Sequence, residues 1–386
     1  MKIGIVGGAL QGIEAVFLSE KAGFETLVID RKESAPALSL SDSREVFDIT
    51  EDAGRARKVL GDCDAVIPAC EETEALVLLD RIMEDSQIPL LFDLDSYRIS
   101  SSKEKSNAIM AGIGIPIPEP WPECGFPAIV KPSSQSGSVG VSAVNSAEEM
   151  DAAVKAVTDM EDIPIVQEFV SGKSVSVEVI GNGEMTRSFC TTEVVLDSNY
   201  DCKMVLCKPN VLPKEDNELF SGMGKKIAQR IGLKALMDVE AIYTEKGLRV
   251  LEIDARIPSQ TPAAVWAATD INILEELTFM HTGRNTGRKN RNGCSAYEHY
   301  LVENGSLITC GEKTFGKITK PRFEQRFFGS DEAITDYLPG KDTWAATVIT
   351  RGRDPAEVLE NRKKFIRNVM DECGLDEYKD RSPKMI

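Results

Sequence analysis

The stretch Val239-Glu240-Ala241-Ile242, followed by Leu251-Glu252-Ile253-Asp254-Ala255-Arg256, decides how this chain can fold around a site. It consists of two short apolar runs joined by the turn Thr244-Glu245-Lys246-Gly247, which is the pattern of a β-hairpin. Because side chains alternate between the two faces of a strand, Glu252, Asp254 and Arg256 share one face. Glu240 can lie across from them on the neighbouring strand.

Three carboxylates that converge in this way repel one another unless a cation lies between them. Oxygen ligands of this kind suit the hard divalent cation Mg²⁺. Arg256, beside the carboxylates, can hold an anionic substrate or a phosphoryl oxygen. The stretch therefore predicts a site for Mg²⁺-nucleotide chemistry, and its structural alternative is a hairpin with an acidic, solvent-facing side.

The composition bounds the class of protein. The 386 residues are enough for two or three domains around separate cores. A content of 42% hydrophobic and 28% charged residues is ordinary for a soluble globular protein. The formal net charge of −17 repels nucleic acid and anionic membranes, so neither is an expected partner. No run of about 18 apolar residues predicts a membrane span.

The N-terminus and the cysteines predict the compartment. The string MKIGIVGGALQG begins directly with a strand and a turn, without the charged, apolar and cleavage regions of a signal peptide. The nine Cys residues are scattered, odd in number and form no C-x-x-C pair. This usage favours reduced thiols in a cytoplasmic protein over a disulfide framework or structural zinc.

Alternating strand and helix patterns organise the N-terminal part of the chain. Helical segments separate the predicted apolar strands, which lie at residues 2–7, 25–30, 64–68 and 89–92. This alternation predicts a small, Rossmann-like parallel α/β domain over about residues 1–95. Its glycines read G-G-x-x-x-G from Gly7 to Gly12 instead of the dinucleotide fingerprint G-x-G-x-x-G, which argues against an NAD-dependent oxidoreductase.

A second unit begins near residue 96 and carries lysines and a Ser/Gly-rich loop. A helix is predicted from Ser100 to Met110, with Lys103 near its start. A strand at residues 128–132 contains Lys131, and the loop at residues 133–140 follows it. Such a loop can wrap phosphates with its backbone N–H groups and hydroxyls, although a flexible hairpin turn has the same composition.

Two further strands and a helix precede the acidic hairpin. The strands are predicted at residues 164–170 and 174–180, and alternation in the second puts Ser176 and Glu178 on one face. An amphipathic helix is predicted at residues 215–231.

The order of these elements resembles the ATP-grasp superfamily over about residues 96–270. The resemblance rests on Lys103, on Lys131 with its Ser/Gly loop, on the string QEFV at 167–170, and on Glu240 followed by Glu252-x-Asp254. It implies an α/β chain with a Rossmann-like domain preceding an ATP-grasp fold, which has a lid subdomain and an antiparallel-sheet core. The implied domains are the Rossmann-like domain at 1–95, the central and lid subdomain at 96–175, and the core and C-terminal subdomain at 176–386.

Several strings narrow the resemblance and extend it over nearly the whole chain. They are YRIS at 97–100, SVEVIGNG at 176–183, YDC at 200–202, MDVEAI at 237–242, KGLRVLEIDARIPSQTP at 246–262 and YEH at 297–299. They are similar to the ATP-grasp ligases of pyrrolysine biosynthesis, which join (3R)-3-methyl-D-ornithine to the ε-amine of L-lysine. The resemblance implies ATP and Mg²⁺ as cofactors, and L-lysine with 3-methyl-D-ornithine or D-ornithine as small-molecule substrates.

In that family ATP phosphorylates a carboxylate, an amine attacks the acyl phosphate, and phosphate leaves. The resemblance implies a catalytic set of Arg256, Lys131 and Asp254, with Arg256 facing the acyl phosphate or the reacting carboxylate. The metal ligands would be Glu240, Glu252 and Asp254, and the loop would close over the phosphates and exclude water. The implied nucleotide contacts come from Lys103, Lys131, Ser133, Ser134, Ser136, Gly137, Ser138, Val139, Gln167, Glu168, Phe169 and Val170, with the backbone of Glu168 and Val170 at the adenine edge.

Recognition of substrate amines needs hydrogen-bond acceptors. Ser176 and Glu178 are candidates for the lysine α-amine, and Asp201 is a candidate for an ornithine amine. Asp254 or Glu178 can accept the proton of the attacking ε-amine. Strand ends of the first domain, where open α/β sheets place ligands, are expected to close one side of the pocket. The candidate substrate-binding residues are therefore Ser176, Glu178, Asp201, Asp254, Arg256, Gln11 and Glu71.

Alternatives stay open for several of these residues. Arg256 can form a structural salt bridge to Glu240 or Glu252, and Asp201 fits an ordinary turn. Gln11 and Glu71 fit ordinary helix N-termini. Ser174 stands where many ATP-grasp enzymes have a Glu for the ribose hydroxyls, and Asp254 stands where many have an Asn as metal ligand.

Other functions are weighed against the amide ligase. They are another ATP-grasp amino-acid or peptide ligase, the NAD-dependent oxidoreductase and a non-catalytic nucleotide sensor. The complete set of lysines and carboxylates argues against the sensor. The sequence leaves open the choice between methylated and plain D-ornithine, and also the oligomeric state, with a homodimer among the compatible assemblies.

Overall fold

Three β-sheets organise the part of the chain that the structure describes. This computed structural model describes residues 1–137, 139–198, 200–283, 290–380 and 382. The sheets have four, three and twelve strands in those residues. Together with the helices that cover them, they confirm the predicted α/β class with a parallel sheet followed by a large antiparallel one.

The first sheet is parallel and belongs to the N-terminal part of the chain. Its elements in chain order are β1 (Lys2–Val6), α1 (Leu10–Ala22), β2 (Glu25–Asp30), a 3₁₀ helix (Pro36–Ser39), β3 (Ser43–Val46), α2 (Ala53–Leu60), β4 (Ala65–Pro68) and α3 (Thr73–Glu84). The strands lie in the order β3-β2-β1-β4. The strand predicted at residues 89–92 is reduced to one parallel bridge between Leu90 and Val66.

Two short helices follow the first sheet, and the second corresponds to the helix predicted from Ser100 to Met110. They are α4 (Leu94–Ser100) and α5 (Lys103–Gly112). Ser102 separates them, and its hydroxyl accepts a hydrogen bond from the N–H of Lys105 at the start of α5. The predicted helix is therefore present, but it begins three residues later than predicted, at Lys103, because Ser102 caps its start and a serine favours a helix start over a helix interior.

The second sheet is small and antiparallel. Its elements are β5 (Ala128–Pro132), β6 (Ser142–Val144), α6 (Ala147–Asp159) and β7 (Pro164–Glu168), and the strands lie in the order β6-β5-β7. The Ser/Gly loop connects β5 to β6. The sheet therefore presents this loop at one end.

The third sheet holds the acidic hairpin. Its elements up to the hairpin are β8 (Lys173–Gly181), β9 (Thr186–Ser188), β10 (Thr192–Leu196), β11 (Cys202–Cys207), α7 (Lys214–Ile231), β12 (Leu236–Thr244) and β13 (Gly247–Asp254). The remaining elements are α8 (Thr261–Thr269), α9 (Ile273–Thr282), β14 (Cys294–Glu303), β15 (Ser306–Thr309), α10 (Glu312–Phe315), β16 (Arg322–Gln325), a 3₁₀ helix (Phe327–Gly329), β17 (Glu332–Thr335), β18 (Trp344–Gly352), α11 (Pro355–Cys373) and β19 (Glu377–Lys379).

The main path of this sheet runs β13-β12-β8-β10-β11-β14-β18-β17-β16. No helix in the described ranges is long and apolar enough to cross a membrane. The division of the chain at residues 95 and 175 stays a prediction. The change from the parallel sheet to α4, and the start of β8 at Lys173, support it.

One face of the hairpin packs on α7 and leaves the other face for polar residues. Val177, Val239 and Ile253 are buried in a cluster with Phe220 and Ile227 of α7. Because side chains alternate along each strand, burial of these apolar residues sends their neighbours to the opposite face. That face carries the predicted carboxylates.

Candidate active site

Two rows of polar side chains cross the neighbouring strands β8, β12 and β13. In the first row, Glu240 on β12 pairs in register with Ser176 on β8 and Glu252 on β13. The second row places Asp238 between Glu178 and Asp254. The prediction that Glu240 lies across from Glu252 is therefore confirmed.

Burial of these acids close to one another shifts their pKa values. Burial, with the neighbouring charges of Glu252 and Asp254, raises the pKa of Glu240 to about 8. Burial also raises the pKa of Asp254 to about 6, although Arg256 opposes the rise. For Glu252, burial acts in the same direction, but Lys103 and Lys131 outweigh it and the pKa ends below its usual value. Burial and mutual repulsion therefore oppose the simultaneous ionisation of all the carboxyls in these rows.

The two predicted lysines meet the first row from the neighbouring elements. Lys103, the first residue of α5, places its Nζ 2.9 Å from Glu252 Oε2 and donates to the carbonyl of Gln135 at 2.7 Å. Lys131 on β5 is buried and donates to the carbonyl of Leu251 at 3.4 Å. Burial lowers the pKa of Lys131 against the opposing pull of Glu252. Both ammonium groups thus lie at one edge of the acidic face.

Arg256 joins the hairpin to the first domain. Its Nε donates to Glu71 Oε1 at 2.9 Å, its Nη2 donates to Asp254 at 3.2 Å, and its Nη1 lies 3.8 Å from Asp238. Gln11 donates to the same Glu71 oxygen at 2.8 Å. The structure thus brings the predicted pocket-closing residues Gln11 and Glu71 to Arg256. The salt bridges to Glu240 or Glu252, proposed as the structural alternative for Arg256, are replaced by these contacts.

Asp162, which follows α6, fixes the start of the Ser/Gly loop. Its carboxylate accepts the backbone N–H groups of Ser133 at 3.1 Å and Ser134 at 3.2 Å, and it also accepts the hydroxyl of Ser134. These two N–H groups, which were predicted to face phosphates, are used within the chain. Phosphate contacts from the backbone therefore have to come from later loop residues.

Residues at the tip of the Ser/Gly loop contact the first domain and α10. The hydroxyl of Ser136 donates to Glu71 Oε2 at 2.9 Å, and Lys313 Nζ donates to the carbonyl of Gly137. Val139 is 44% exposed, so its side chain does not cover the site. The predicted contact Ser138 lies outside the described residues. These contacts tie the tip of the loop to Glu71 and to Lys313 of α10.

Residues 167–170, which were predicted to contact adenine, comprise the end of β7 and the two residues that follow it. Strand β7 pairs with β5. Gln167 is buried, and the N–H of Glu168 donates to the carbonyl of Glu119 at 2.8 Å. The N–H of Phe169 donates to the carbonyl of Pro127. With these two donors used within the chain, the adenine contact predicted for Val170 stays a prediction.

The predicted amine-binding residues fall into two places. Ser176 donates to Glu178 Oε1 at 3.2 Å, and both side chains are buried. Burial raises the pKa of Glu178 to about 7. Asp201 directly precedes β11. Its side chain accepts the N–H of Lys313 at 3.1 Å. Its alternative as a turn residue fits as well, because its N–H donates to the side chain of Asp197.

Sequence reasoning missed Asp238, Glu14 and Glu312. Asp238 stands two residues before Glu240 on the same strand, so the alternation used for Glu252 and Asp254 would have found it. Glu14, inside helix α1, is only 1% exposed. A glutamate is seldom fully buried unless its carboxylate has a partner, so its burial marks it as a residue with a specific role. For Glu312, nothing in the local pattern pointed to the site.

A strained turn holds Glu312 in place. Gln260 has φ +78° and ψ −53°, and the N–H of Thr261 donates to the carbonyl of Ser259, which is a γ-turn of the uncommon, strained kind. Glu312 Oε2 accepts from Ser259 Oγ at 2.6 Å and from Gln260 Nε2 at 2.8 Å. Strain of this sort persists at functional sites because the surroundings fix it.

The glycine turn of the first domain has a structural explanation. A Cβ on Gly7, which has φ +111°, would lie 2.4 Å from the carbonyl oxygen of Ala69. Asp30, at the end of β2, accepts the N–H groups of Gly8 and Lys32. Close packing thus explains the glycine at position 7, and local hydrogen bonds explain the aspartate at the end of β2, without a bound dinucleotide.

The surroundings of the three predicted metal ligands show whether these residues fit a cation. Within the described ranges, no group of three or more His, Cys, Asp or Glu side chains stands in a metal-binding arrangement. Glu252 pairs with Lys103, and Asp254 pairs with Arg256. The donor chemistry nevertheless fits a hard cation, because Glu240 and Glu252 are opposed carboxylates, and burial together with the charge of Glu252 raises the pKa of Glu240.

Comparison with known sequences points to one group of enzymes. A family model described as an ATP-grasp domain matches residues 100–260. The chain is 38% identical to the 3-methyl-D-ornithine–L-lysine ligase of Methanosarcina mazei over 96% of both chains. It is 37% identical to the enzyme of the same name from Methanosarcina barkeri, over 96% of this chain and 98% of the relative.

Comparison with solved structures confirms the fold. The biotin carboxylase of Campylobacter jejuni, solved as a β,γ-ATP complex, superposes with a TM-score of 0.74 over 96% of this chain and 91% of that one. The two sequences are 14% identical, so the likeness concerns the fold alone. It extends over the parallel sheet, the lid and the large antiparallel sheet together.

Proposed function

The chain belongs to the 3-methyl-D-ornithine–L-lysine ligase family of ATP-grasp enzymes, and from this premise we propose the reaction and the residues that perform it. It is an ATP-dependent ligase that forms a C–N bond, and ATP-grasp enzymes use ATP with Mg²⁺. The proposed reaction joins the carboxylate of 3-methyl-D-ornithine, or of D-ornithine, to the ε-amine of L-lysine in pyrrolysine biosynthesis.

The observation that carries the proposal is the pair of polar rows on β8, β12 and β13, flanked by three cations. Lys103 and Lys131 lie at one edge of the rows, and Arg256 lies at the other. This arrangement separates a place for phosphates from a place for the reacting carboxylate. Phosphoryl transfer depends mostly on such positioning and on charge neutralisation.

In the proposed site, Lys103 and Lys131 hold phosphate oxygens of ATP. Glu240, Glu252 and Asp254 would hold Mg²⁺, which neutralises charge on the phosphates when bound. The closed loop, held by Ser136 on Glu71, keeps water away from an acyl phosphate that water would hydrolyse.

Arg256 is proposed to face the carboxylate that becomes the acyl phosphate. Burial alone would lower the pKa of the partly buried Arg256 guanidinium, but the carboxylates of Asp254, Asp238 and Glu71 outweigh it and raise this pKa above its ordinary value, so the group stays charged. Asp254 accepts the proton when the lysine ε-amine attacks.

The proposal extends to location and assembly. All nine Cys residues are free, which supports a cytoplasmic protein. A homodimer is kept as the proposed assembly, and light scattering of the purified protein tests it.

Mass spectrometry of the products tests the function directly. The protein is incubated with L-lysine, ATP and Mg²⁺, together with D-ornithine or 3-methyl-D-ornithine. The expected product has the summed mass of the two amino acids minus one water, and one ADP accompanies each product molecule. If ADP appears only with a different pair from a panel of amino acids, the chain is another ATP-grasp amino-acid or peptide ligase.

A further inference from the structure

Three consecutive residues of the Ser/Gly loop are each held by a charged side chain from a different part of the protein. The contacts are Lys103 Nζ to the carbonyl of Gln135, the hydroxyl of Ser136 to Glu71, and Lys313 Nζ to the carbonyl of Gly137. Lys103 also pairs with Glu252, and Glu71 with Arg256, so the first two contacts place the loop between two edges of the acidic rows. The third contact, from Lys313, has no role in the proposed reaction.

The stem of Lys313 lies against the loop as closely as its ammonium group does. A Cβ placed on Gly137, which has φ +60°, would lie 3.1 Å from Lys313 Cε. A glycine suits both this positive φ and the close approach of the lysine stem. The loop lies between β5 and β6, whereas Lys313 follows β15 in the C-terminal part of the chain. The contact therefore holds the loop tip from outside the subdomain that carries the loop.

Helix α10 is fixed to its neighbours, so Lys313 extends from a well-defined base. The N–H of Lys313 donates to Asp201 Oδ2 at 3.1 Å. A Cβ on Gly311, the residue before the helix, would lie 2.1 Å from the same oxygen, so Asp201 packs closely there. Phe315, at the end of the helix, is buried and stacks on the ring of His299 with 5.0 Å between centroids. A side chain on such a base holds its partner at a defined place.

The start of the Ser/Gly loop and its tip are held in different ways. At the start, Asp162 accepts the N–H groups of Ser133 and Ser134, and all three residues belong to the same subdomain. The contacts of the tip leave that subdomain, so they break if the loop moves away from the acidic rows, whereas the contacts of Asp162 remain. The tip contacts therefore set the equilibrium between a loop that covers the site and one that does not.

The acyl phosphate of the proposed reaction needs protection until the amine attacks. Water that reaches it restores the carboxylate and releases phosphate, so ADP forms without amide. Loops that cover an active site prevent such side reactions. We propose that Lys313 holds the Ser/Gly loop at Gly137 while the acyl phosphate is present and so couples ADP formation to amide formation. This inference rests on the proposed function. It makes Lys313 a positioning residue, because Lys313 acts through the loop.

The ratio of two rates tests this inference. One is ADP formation from ATP, Mg²⁺ and D-ornithine without L-lysine, and the other is amide formation with saturating L-lysine. Lys313→Met keeps the stem but removes the charged donor, and it should raise the ratio of the first rate to the second about tenfold. This is the lower end of the range for a hydrogen bond to a charged group, which suits an exposed lysine. A general loss of structure would lower both rates and leave the ratio unchanged.

Two further variants and a second measurement complete the test. Lys313→Arg keeps a charged donor and should restore most of the wild-type ratio. Lys320→Met, the same change at an exposed lysine after α10, should leave the ratio unchanged. Hydrogen exchange of the loop, residues 133–140, with Mg²⁺ and a non-hydrolysable ATP analogue bound, reports on the loop without any chemistry. It should be faster in Lys313→Met protein than in the wild-type and Lys320→Met proteins.

Several results would overturn the inference. An unchanged ratio in folded Lys313→Met protein does so, and so does unchanged hydrogen exchange of the loop. If the wild-type protein forms the amide but Lys313→Met changes neither measurement, the role of Lys313 is wrong and the proposed function stands. If no amide forms but exchange of the loop is faster in Lys313→Met protein alone, the proposed function is wrong and the hold of Lys313 on the loop stands.

Discussion

Arg256 and Glu71 are 185 residues apart in the chain, yet Arg256 Nε donates to Glu71 Oε1 at 2.9 Å. The contact joins the end of the acidic hairpin to the loop that follows β4 in the first domain. Glu71 also accepts from Gln11 and from Ser136 of the Ser/Gly loop. One carboxylate thus connects the first domain, the lid loop and the residue proposed to face the reacting carboxylate.

Replacing Arg256 by Lys should slow ligation at least about tenfold and leave the fold intact. A lysine keeps the charge but loses the planar fork that contacts Glu71 and Asp254 together. Steady-state kinetics and thermal unfolding measure the two effects. Arg98→Lys is the matched control, because Arg98 is exposed and pairs only with the neighbouring Asp95 among the described contacts. Wild-type turnover in Arg256→Lys protein would remove Arg256 from the reaction.

Glu252→Gln should abolish ligation and weaken binding of Mg²⁺-ATP. The change removes one of the two opposed carboxylates proposed to hold the metal, and it also leaves Lys103 without its charged partner. Glu245→Gln in the exposed turn of the same hairpin serves as control. Titration with Mg²⁺-ATP and product formation are the measurements. A Glu252→Gln protein that ligates at the wild-type rate contradicts the metal assignment.

Lys131→Ala should raise the ATP concentration needed for half-maximal rate. Loss of one charge-assisted phosphate contact is worth about 1.5–3 kcal/mol, or roughly ten- to a hundredfold. Lys155→Ala on the exposed face of α6 provides the control in the same subdomain. The dependence of rate on ATP, with circular dichroism to confirm the fold, measures the effect. An unchanged dependence would place Lys131 outside the phosphate site.

Stability of the ligand-free protein should fall as pH rises from about 5 to 8. Burial raises the pKa of Glu14 to about 8 and that of Glu178 to about 7, so the folded chain keeps protons that the unfolded chain has released. The unfolding free energy therefore decreases with pH across this window, by at most about 1.4 kcal/mol per pH unit for each group. Urea unfolding of the wild-type and Glu14→Gln proteins at pH 5.5 and 8 isolates the contribution of Glu14. An equal pH dependence in both proteins would contradict it.

The hairpin shows what sequence periodicity can predict. The alternation of Glu252, Asp254 and Arg256 fixed their common face, and the turn fixed the strand opposite them. The same rule applied one step earlier would have found Asp238. The boundary at Ser102 was also readable, because a serine that caps a helix is a local signal.

Other parts of the site depend on contacts between distant segments. The partner of Arg256 is set by how the first domain docks on the large sheet, and no local pattern encodes that docking. Glu312 reaches the site only because a strained turn at Gln260 hydrogen-bonds to it. The use of Ser133 and Ser134 N–H groups by Asp162 likewise follows from how the end of α6 packs against the loop.

Transfer of oxygen from substrate to phosphate tests the central claim most directly. D-Ornithine labelled with ¹⁸O in both carboxylate oxygens is incubated with L-lysine, ATP and Mg²⁺. In the proposed reaction one carboxylate oxygen attacks the γ-phosphorus, the amine then attacks the acyl carbon, and that oxygen leaves with phosphate. Mass spectrometry should therefore find one ¹⁸O atom in each phosphate released and one in each amide. Amide formation with unlabelled phosphate, or with the label in AMP, would contradict an acyl-phosphate ligase.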